Sequence, residues 1–475
     1  MALNEALQKY FASHNTPVQA NRIGQILKDH SMWIQNNPEF DERQKKAASM
    51  IAACKTEALG YYVEYCPNCD QVVGIHYRSC KNHCCPNCQT SCQIKWSLLR
   101  EAEIIPNTPY FHVVMTLPHD LNSLILANTK ELLRILFRAS SEAVIQLSLD
   151  PRFLGAKPGI ISVCHTWTQE LQPHFHIHMI VSGGGLDKNG FCVRLKDGWE
   201  KRVADSENDT ERNESTDASV PENEALVMAL MEEDSDMWNG EDRNTAEFQE
   251  TLEKKKEKVP FFLPEKALAK LFRGKYLTYL SELYRQKKLR LPGELDYLND
   301  PWEWSALGQK LGSKNWIAHI VRTFQGNGNA IEYLARYTFR TAISNSRIIE
   351  YDGKNVTITC RDNEDYRKKR KVILSVYEFI RRFLLHVPPK GFTRIRYSGF
   401  LSNSQKVRNL AMIFEQVSHE EYRPAEIKKC VEQIIVNALK KHGFQTECPC
   451  CGTELSIIGV GVNFLRRRRC VSPAA

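Results

Sequence analysis

Residues 174–186 read HFHIHMIVSGGGL, and this stretch decides the fold of the central part of the chain. Polar and apolar residues alternate along it, as in a half-buried β-strand, so His174, His176 and His178 are predicted to share one face. Two strand rises place His176 and His178 roughly 6 to 7 Å apart, so both imidazoles can bind one divalent cation. The three glycines that follow, Gly183 to Gly185, are expected to end the strand and to let the backbone approach a ligand closely.

The segments around this strand predict a mixed α+β fold. Residues 110–117 and 159–167 alternate as further strands, and residues 121–148 carry a helical pattern. Only a short turn containing Pro173 precedes the histidine strand, so it is expected to pair antiparallel with the strand before it. A histidine-rich strand can also be no more than the polar face of a sheet, but three histidines beside a glycine run favour a metal site.

The charge of the chain is unevenly distributed. Its 475 residues carry a formal net charge of +8, whereas residues 201–250 hold sixteen acidic and four basic residues, a local charge of −12 that leaves +20 elsewhere. A body this basic favours a polyanionic partner, most often nucleic acid. Residues 201–258 are predicted to form a mostly disordered acidic insertion.

The composition indicates a soluble intracellular protein. Hydrophobic residues make up 42% of the chain, enough for real cores. No apolar run approaches the roughly 18 residues that a membrane span needs, and the opening MALNEALQKYF lacks the pattern of a signal peptide. In such a compartment the sixteen cysteines indicate metal binding rather than disulfides.

Two identical motifs, both CPNC, predict a zinc site near the N-terminus. The first spans Cys66–Cys69 and the second Cys85–Cys88, with fifteen residues between them. This spacing is typical of four thiolates around one structural zinc, here Cys66, Cys69, Cys85 and Cys88. A second zinc stays open, with candidate ligands Cys54, Cys80, Cys84, His76 and His83.

A further pair of cysteines lies near the C-terminus, in the sequence CPCCG at residues 448–452. Cys448 and Cys451 have chelating spacing, but the surrounding sequence offers no convincing second pair, although His442 can contribute. The sequence therefore favours no metal at this point. The run Arg466–Arg469 either adds affinity for phosphate or is a solvated tail.

The stretch YLARYTFR, residues 333–340, supplies candidate nucleophiles. Tyr333 and Tyr337 are four residues apart and therefore lie on one face of a predicted helix. Arg336 and Arg340 share that face, which favours a phosphate-binding surface over a buried aromatic stripe. A tyrosine hydroxyl that attacks a DNA phosphate forms a phosphotyrosine and conserves the bond energy for rejoining.

Taken together, the motifs resemble the rolling-circle transposases of the insertion sequence 91 group, in the HUH (histidine, hydrophobic, histidine) superfamily. The likeness runs from about Ala53 to about Asn403 and rests on the cysteine-rich start and on YFHVVMTLPH, HTWTQELQPHFHIHMIVSGGGL, FRGKYL, YLARYTFRTAISNSRI and GFTRIRYSGFLSN. His176-Ile177-His178 is the triplet, and Tyr333 and Tyr337 match the two-tyrosine motif of the family.

The resemblance implies a nuclease and strand transferase that acts on single-stranded DNA at element ends and on target DNA, in the bacterial cytoplasm. It implies a catalytic Mg²⁺ or Mn²⁺, a 5′-phosphotyrosine intermediate, and an HUH core built as a central antiparallel sheet flanked by helices. Such sites usually take a third metal ligand from elsewhere. We expect Gln169 to be this third ligand, because it shares a face with His165 and Trp167. Glu170, His165 and His112 remain alternative ligands.

Five regions are expected along the chain: a helical and zinc-binding domain (1–100), two parts of the nuclease core (101–200 and 259–403) around the acidic insertion (201–258), and a basic, cysteine-containing tail (404–475). The sequence departs from the family at His83-Cys84-Cys85-Pro86, where arginine-histidine-cysteine-proline is usual, and at the insertion.

Two other functions fit the same residues. A plasmid replication initiator or a relaxase would use the same chemistry, and a zinc-dependent DNA-binding regulator would bind without cleaving. The intact histidine pair and tyrosine pair favour the transposase. The oligomeric state stays open.

Overall fold

The computed structural model describes residues 21–195, 262–325, 338–361, 368–419, 421–441 and 447–460. Several sequence predictions fall outside these ranges: the acidic insertion at 201–258, the helix expected to begin near Asn329, His442, and three site residues, Tyr333, Arg336 and Tyr337.

Helices and strands alternate along the chain. The helices are α1 (Arg22–Asp29), α2 (Ser31–Asn36), α3 (Glu42–Ala52), α4 (Thr90–Glu101), α5 (Asn122–Ala127), α6 (Thr129–Ser148), α7 (Glu265–Arg285), α8 (Pro301–Ser313), α9 (Val376–Leu385), α10 (Lys406–Val417) and α11 (Pro424–Lys441). The strands are β1 (Tyr61–Cys66), β2 (Gln71–Tyr77), β3 (Pro109–Thr116), β4 (Lys157–Trp167), β5 (Pro173–Leu186), β6 (Cys192–Arg194), β7 (Ile317–Gln325), β8 (Ile348–Tyr351), β9 (Asn355–Arg361), β10 (Lys369–Ser375), β11 (Ile395–Gly399) and β12 (Ser456–Val460).

The central element is a six-stranded antiparallel sheet. Its order is β11-β4-β5-β3-β7, and β6 pairs with the far end of β5. The antiparallel pairing expected between the strand at 159–167 and the histidine strand is confirmed by the β4–β5 ladder. The histidine strand therefore lies in the middle of the sheet, where both faces are covered.

The two faces of the sheet pack against different parts of the chain. Ile177, Met179 and Val181 of β5 belong to the largest apolar cluster, which includes the inward faces of α6 and α7. On the other face, Ile180 joins a smaller cluster with Phe400 and residues of α10. The even-numbered residues of β5 share this second face, and His174, His176 and His178 are all about 1% exposed.

The glycine run does not end the histidine strand, which corrects one expectation. Gly183, Gly184 and Gly185 all lie inside β5. A Cβ atom on Gly185 would overlap the backbone carbonyl of Lys157 on β4, so glycine is needed for close contact between strands rather than with a ligand.

Two small sheets flank the central one. Strands β8, β9 and β10 form an antiparallel sheet next to α9. Strands β12, β1 and β2 form another, in which β1 is central and pairs with strands from both ends of the chain. No helix in the described ranges has the length and apolar character that crossing a membrane requires.

His386, which follows α9, connects that helix to the β4–β5 turn. One ring nitrogen, Nδ1, lies 3.0 Å from the hydroxyl of Thr166, and Nε2 lies 3.0 Å from the carbonyl oxygen of Leu171. Burial lowers the pKa of this imidazole to about 4, and the hydrogen bond to Leu171 only partly opposes the shift. The turn between the two histidine-bearing strands is therefore held by a neutral side chain.

Acidification is expected to destabilise the fold through His386. As the pH falls from 6.5 to 4, the unfolded chain takes up a proton that the folded chain does not, so stability is lost with falling pH and this loss is absent above pH 6.5. Between pH 6.5 and 5 the loss amounts to about 2 kcal/mol. Urea unfolding at pH 7 and pH 5 measures how much the free energy of unfolding falls on acidification, and this fall should be smaller in His386→Gln than in the wild type. Equal falls in the two proteins would contradict the prediction.

Candidate functional site

Three buried imidazoles meet on the second face of the central sheet. His165 lies on β4 directly opposite His176 on β5, and His178 follows two residues later on the same face. One ring nitrogen from each of the three lies within 4.8 Å of the others. The ring centroids of His165 and His178 are 4.6 Å apart, and those of His176 and His178 are 4.8 Å apart. The three side chains thus offer converging lone pairs.

Gln169, the third ligand expected from the sequence, does not join this group. Its side-chain Oε1 accepts a hydrogen bond of 2.5 Å from the backbone N–H of Arg361 on β9. Its carbonyl oxygen accepts another from the guanidinium of Arg347. Glu170, the other candidate in this turn, pairs with Arg370. The β4–β5 turn faces β9 and β10, because Arg361 and Arg370 on those strands donate hydrogen bonds to it. The third member of the histidine group is instead His165, one of the alternatives that the sequence left open.

Hydrogen bonds orient two of the three rings. Nδ1 of His176 lies 3.3 Å from the carbonyl oxygen of His174, a contact in which only a protonated nitrogen can donate. Nε2 of His176 then keeps its lone pair. Nδ1 of His178 lies 2.9 Å from Nε2 of His112 on β3. When Nδ1 of His178 donates to His112, Nε2 of His178 likewise keeps its lone pair.

The environment keeps these rings neutral. Burial, reinforced by neighbouring imidazoles, lowers the pKa of His176 and of His178 well below 6.5. Burial also lowers the pKa of His112 to about 3. Charging one imidazole beside the others costs both desolvation and repulsion. Neutral imidazole is the form that binds a metal ion, so the group fits a divalent cation.

Arg340 adds positive charge beside the histidines. Its guanidinium is one of the charges that lower the pKa of His176 and His178, after burial and the other imidazoles. The backbone at this point is held by Arg394, whose guanidinium donates to the carbonyl oxygens of Thr338 and Arg340 at 2.9 and 2.8 Å. Thr338 is the residue that follows Tyr337 in the sequence.

One group of four cysteines is buried in the N-terminal part of the chain. It comprises Cys54, Cys80, Cys85 and Cys88, whose sulfur atoms all lie within 4.8 Å of one another. Sγ of Cys80 and Sγ of Cys88 are 3.7 Å apart, close to the roughly 3.8 Å edge of a zinc tetrahedron with Zn–S bonds of about 2.3 Å. We name this group the inner cysteine cluster.

A second group combines cysteines from the two ends of the chain: Cys66, Cys69, Cys448 and Cys451. We name it the outer cysteine cluster. The sequence prediction that both CPNC motifs share one zinc is therefore wrong, because each motif belongs to a different cluster. The prediction that Cys448 and Cys451 lack a second pair is also wrong.

Cys84, a candidate ligand from the sequence, belongs to neither cluster. Its thiol contacts the carbonyl oxygen of His386 at 3.6 Å, and burial raises its pKa to about 11. It is a buried thiol that faces α9, while its neighbour Cys85 faces the inner cluster. One sequence signal was available: CPNC, CPNC and CPCC are three C-P-x-C pairs of the same form, which sets Cys448 and Cys451 beside the two N-terminal motifs as a candidate pair.

Comparison with known protein families gives two matches. Residues 26–117 match a family described as "Transposase zinc-binding domain". These residues include the whole inner cysteine cluster. Residues 159–213 and 245–408 match a family described as "Putative transposase". The second match contains the three histidines and leaves out 214–244, within the acidic segment.

Two relatives extend over most of the chain. The "Putative transposase y4qJ" of Sinorhizobium fredii is 30% identical over 86% of this chain and 87% of its own length. The "Transposase for insertion sequence element IS801" of Pseudomonas savastanoi pv. phaseolicola is 25% identical over 78% of this chain and 73% of its own. No solved structure matches the chain.

Proposed function

Because this chain belongs to the family of IS91-type transposases with an N-terminal zinc-binding domain, we propose that it cleaves and rejoins single-stranded DNA at the ends of an insertion sequence. In this proposal the reaction passes through a 5′-phosphotyrosine at Tyr333 or Tyr337. The partner of a transposase is DNA, and the body of the chain, with its charge of +20 outside residues 201–250, suits a polyanion.

The observation that carries the proposal is the convergence of His165, His176 and His178. Three imidazole nitrogens within 4.8 Å of one another can ligate one divalent cation. Three protein ligands leave coordination positions open, as a catalytic site requires. A cation bound there would polarise the scissile phosphate and stabilise its developing charge. An all-imidazole set suits Mn²⁺ better than Mg²⁺, which prefers oxygen ligands.

The remaining roles fall to residues of the chain. The phenol oxygen of Tyr333 or Tyr337 forms the new bond to phosphorus and loses its proton, while the bond from phosphorus to the 3′ oxygen breaks and that oxygen becomes a hydroxyl. Arg340, which acts electrostatically on His176 and His178, suits a position beside the scissile phosphate. Arg336 is proposed to bind the same strand. Rejoining is the reverse attack by a 3′ hydroxyl.

A covalent adduct tests the proposal. The purified protein, incubated with Mn²⁺ and end-labelled single-stranded DNA that carries the ends of its element, is expected to give a protein–DNA band that survives denaturation. The double variant Tyr333→Phe with Tyr337→Phe should lose the band entirely, because neither ring retains an oxygen nucleophile. Tyr351→Phe, which removes a phenol on β8, serves as the matched control and should keep it.

Two outcomes would overturn the proposal. An adduct that persists in the double variant would remove the tyrosines from the reaction. DNA binding by the wild type without any adduct would instead favour a zinc-dependent regulator.

A further inference from the structure

We propose that the outer cysteine cluster holds a second structural zinc, which ties the C-terminal segment of the chain to the N-terminal zinc-binding domain. Cys66 and Cys69 lie within the residues matched by the zinc-binding family, whereas Cys448 and Cys451 lie outside both matched regions. The two cysteine pairs are far apart in the sequence: Cys69 and Cys448, whose sulfur atoms are in contact, are separated by 379 positions.

The distances between sulfur atoms fit a metal tetrahedron. Sγ of Cys66 lies 3.6 Å from Sγ of Cys451, and Sγ of Cys448 lies 4.0 Å from Sγ of Cys69. Zinc–sulfur bonds of about 2.3 Å in tetrahedral geometry place sulfur atoms about 3.8 Å apart. Disulfides, by contrast, hold them at about 2.05 Å. The inner cluster, whose Cys80–Cys88 distance is 3.7 Å, has the same spacing.

The two halves of the outer cluster are built alike. Each pair is a C-P-x-C turn, and each is followed at once by a residue with positive φ: Asp70 at 53° and Gly452 at 71°. In the first turn, the backbone N–H of Cys69 points to Sγ of Cys66 at 3.4 Å. In the second, the N–H of Gly452 closes the turn on the carbonyl oxygen of Cys448 at 2.9 Å. Each turn supplies two of the four sulfur atoms, and all four lie within 4.8 Å of one another.

The strands that leave these turns align the two halves. The first turn joins β1 to β2, and the second precedes β12, which pairs with β1 in antiparallel register from Tyr61 opposite Val460 to Tyr65 opposite Ser456. The turn at 448–451 is itself bracketed by a bridge between Glu447 and Glu454. This sheet combines strands from the N-terminal and C-terminal parts of the chain, and it therefore places both cysteine pairs at the same edge of the unit.

The apolar contacts of this unit are too few to hold it closed. Its buried cluster consists of Leu455 and the two cysteines Cys66 and Cys448, with Cys69 and Val73 packed against them. Domains with so little apolar core usually need a metal or disulfides for stability. A four-thiolate zinc site leaves no open coordination position, so this ion has a structural role and takes no part in DNA cleavage.

The zinc content of the full-length protein tests the inference. Cys448→Ser with Cys451→Ser is expected to lower the zinc content, measured by plasma mass spectrometry, by one ion per chain relative to the wild type. Cys450→Ser, an exposed cysteine in the same turn but outside the cluster, should leave the content unchanged. Adding Cys66→Ser to the double variant should cause no further loss, because all four residues hold one ion.

A second measurement uses the wild-type protein, so its result does not depend on whether a variant folds. Cys450 and Cys451 are neighbours and both are exposed, yet only Cys450 should react rapidly with iodoacetamide. After a chelator has removed one equivalent of zinc, Cys451 and Cys69 should become reactive together, while the fully buried inner cluster stays protected.

The inference fails if the double variant keeps the zinc content of the wild type, or if Cys451 reacts as fast as Cys450 in untreated protein. Neither readout depends on DNA cleavage. A chain that binds this zinc but forms no DNA adduct would refute the proposed function alone, and the converse result would refute only the second zinc.

Discussion

Affinity for Mn²⁺ is expected to fall at least about 100-fold in His165→Asn and to stay within about twofold of the wild type in Gln169→Ala. Residues that only support metal ligands typically contribute about 10- to 100-fold, so loss of a direct ligand should cost at least the upper part of that range. Gln169 lies in the adjoining turn, but its side chain binds the backbone of Arg361 rather than the histidine group. Isothermal titration of the purified variants with Mn²⁺ measures both values.

DNA cleavage should follow the same order. If the bound cation supplies about 4 kcal/mol of transition-state stabilisation, His165→Asn and His176→Asn each lower the rate of adduct formation about 10³-fold. His174→Asn is the matched control on the same strand and face, because His174 is not one of the three converging ligands. If Gln169→Ala lowers the affinity for Mn²⁺ and His165→Asn does not, the third ligand is Gln169, as expected from the sequence, and not His165.

The second large effect concerns two neighbouring cysteines. Cys85→Ser is expected to abolish zinc binding at the inner cluster and to unfold the segment around it, whereas Cys84→Ser should keep the full zinc content. Apparent binding free energies of structural zinc in small zinc-finger peptides are about 10–16 kcal/mol, and this energy is folding energy. We therefore expect a loss of at least about 5 kcal/mol for Cys85→Ser.

The cost of Cys84→Ser should be about 1 kcal/mol, because serine can still donate to the carbonyl oxygen of His386. Zinc analysis and hydrogen exchange of α1 to α3 distinguish the two variants: rapid exchange is expected only for Cys85→Ser. Equal zinc losses in both variants would mean that the inner cluster is assigned to the wrong residues.

Sequence periodicity predicted the central sheet even though the histidine strand is buried on both faces, because polar and apolar side chains still alternate between the two faces. The alternation at 174–186 placed His176 and His178 on one face, and the short turn around Pro173 implied the antiparallel partner. The short strand β11 carries no comparable alternation. Its position at the sheet edge depends on pairing with β4, a contact more than 200 residues distant in sequence that local patterns do not encode.

The ligand sets were harder to predict because they depend on register and on long-range contacts. His165 and Gln169 both lie on the segment before the histidine strand, and only the ladder that sets His165 opposite His176 separates them. Cysteine spacing likewise favoured joining the two nearby CPNC pairs. The chain instead pairs Cys66 and Cys69 with Cys448 and Cys451, because β12 returns to β1.

We propose that a tyrosine of the segment 333–337 attacks DNA beside the three histidines. The most direct measurement is mass spectrometry of the protein–DNA adduct after digestion with protease and nuclease. We expect one modified peptide, which contains Tyr333 or Tyr337 linked to a 5′-phosphate and which disappears in His165→Asn and His176→Asn. A nucleotide attached to any other residue, or an adduct that forms unchanged in both histidine variants, would contradict it.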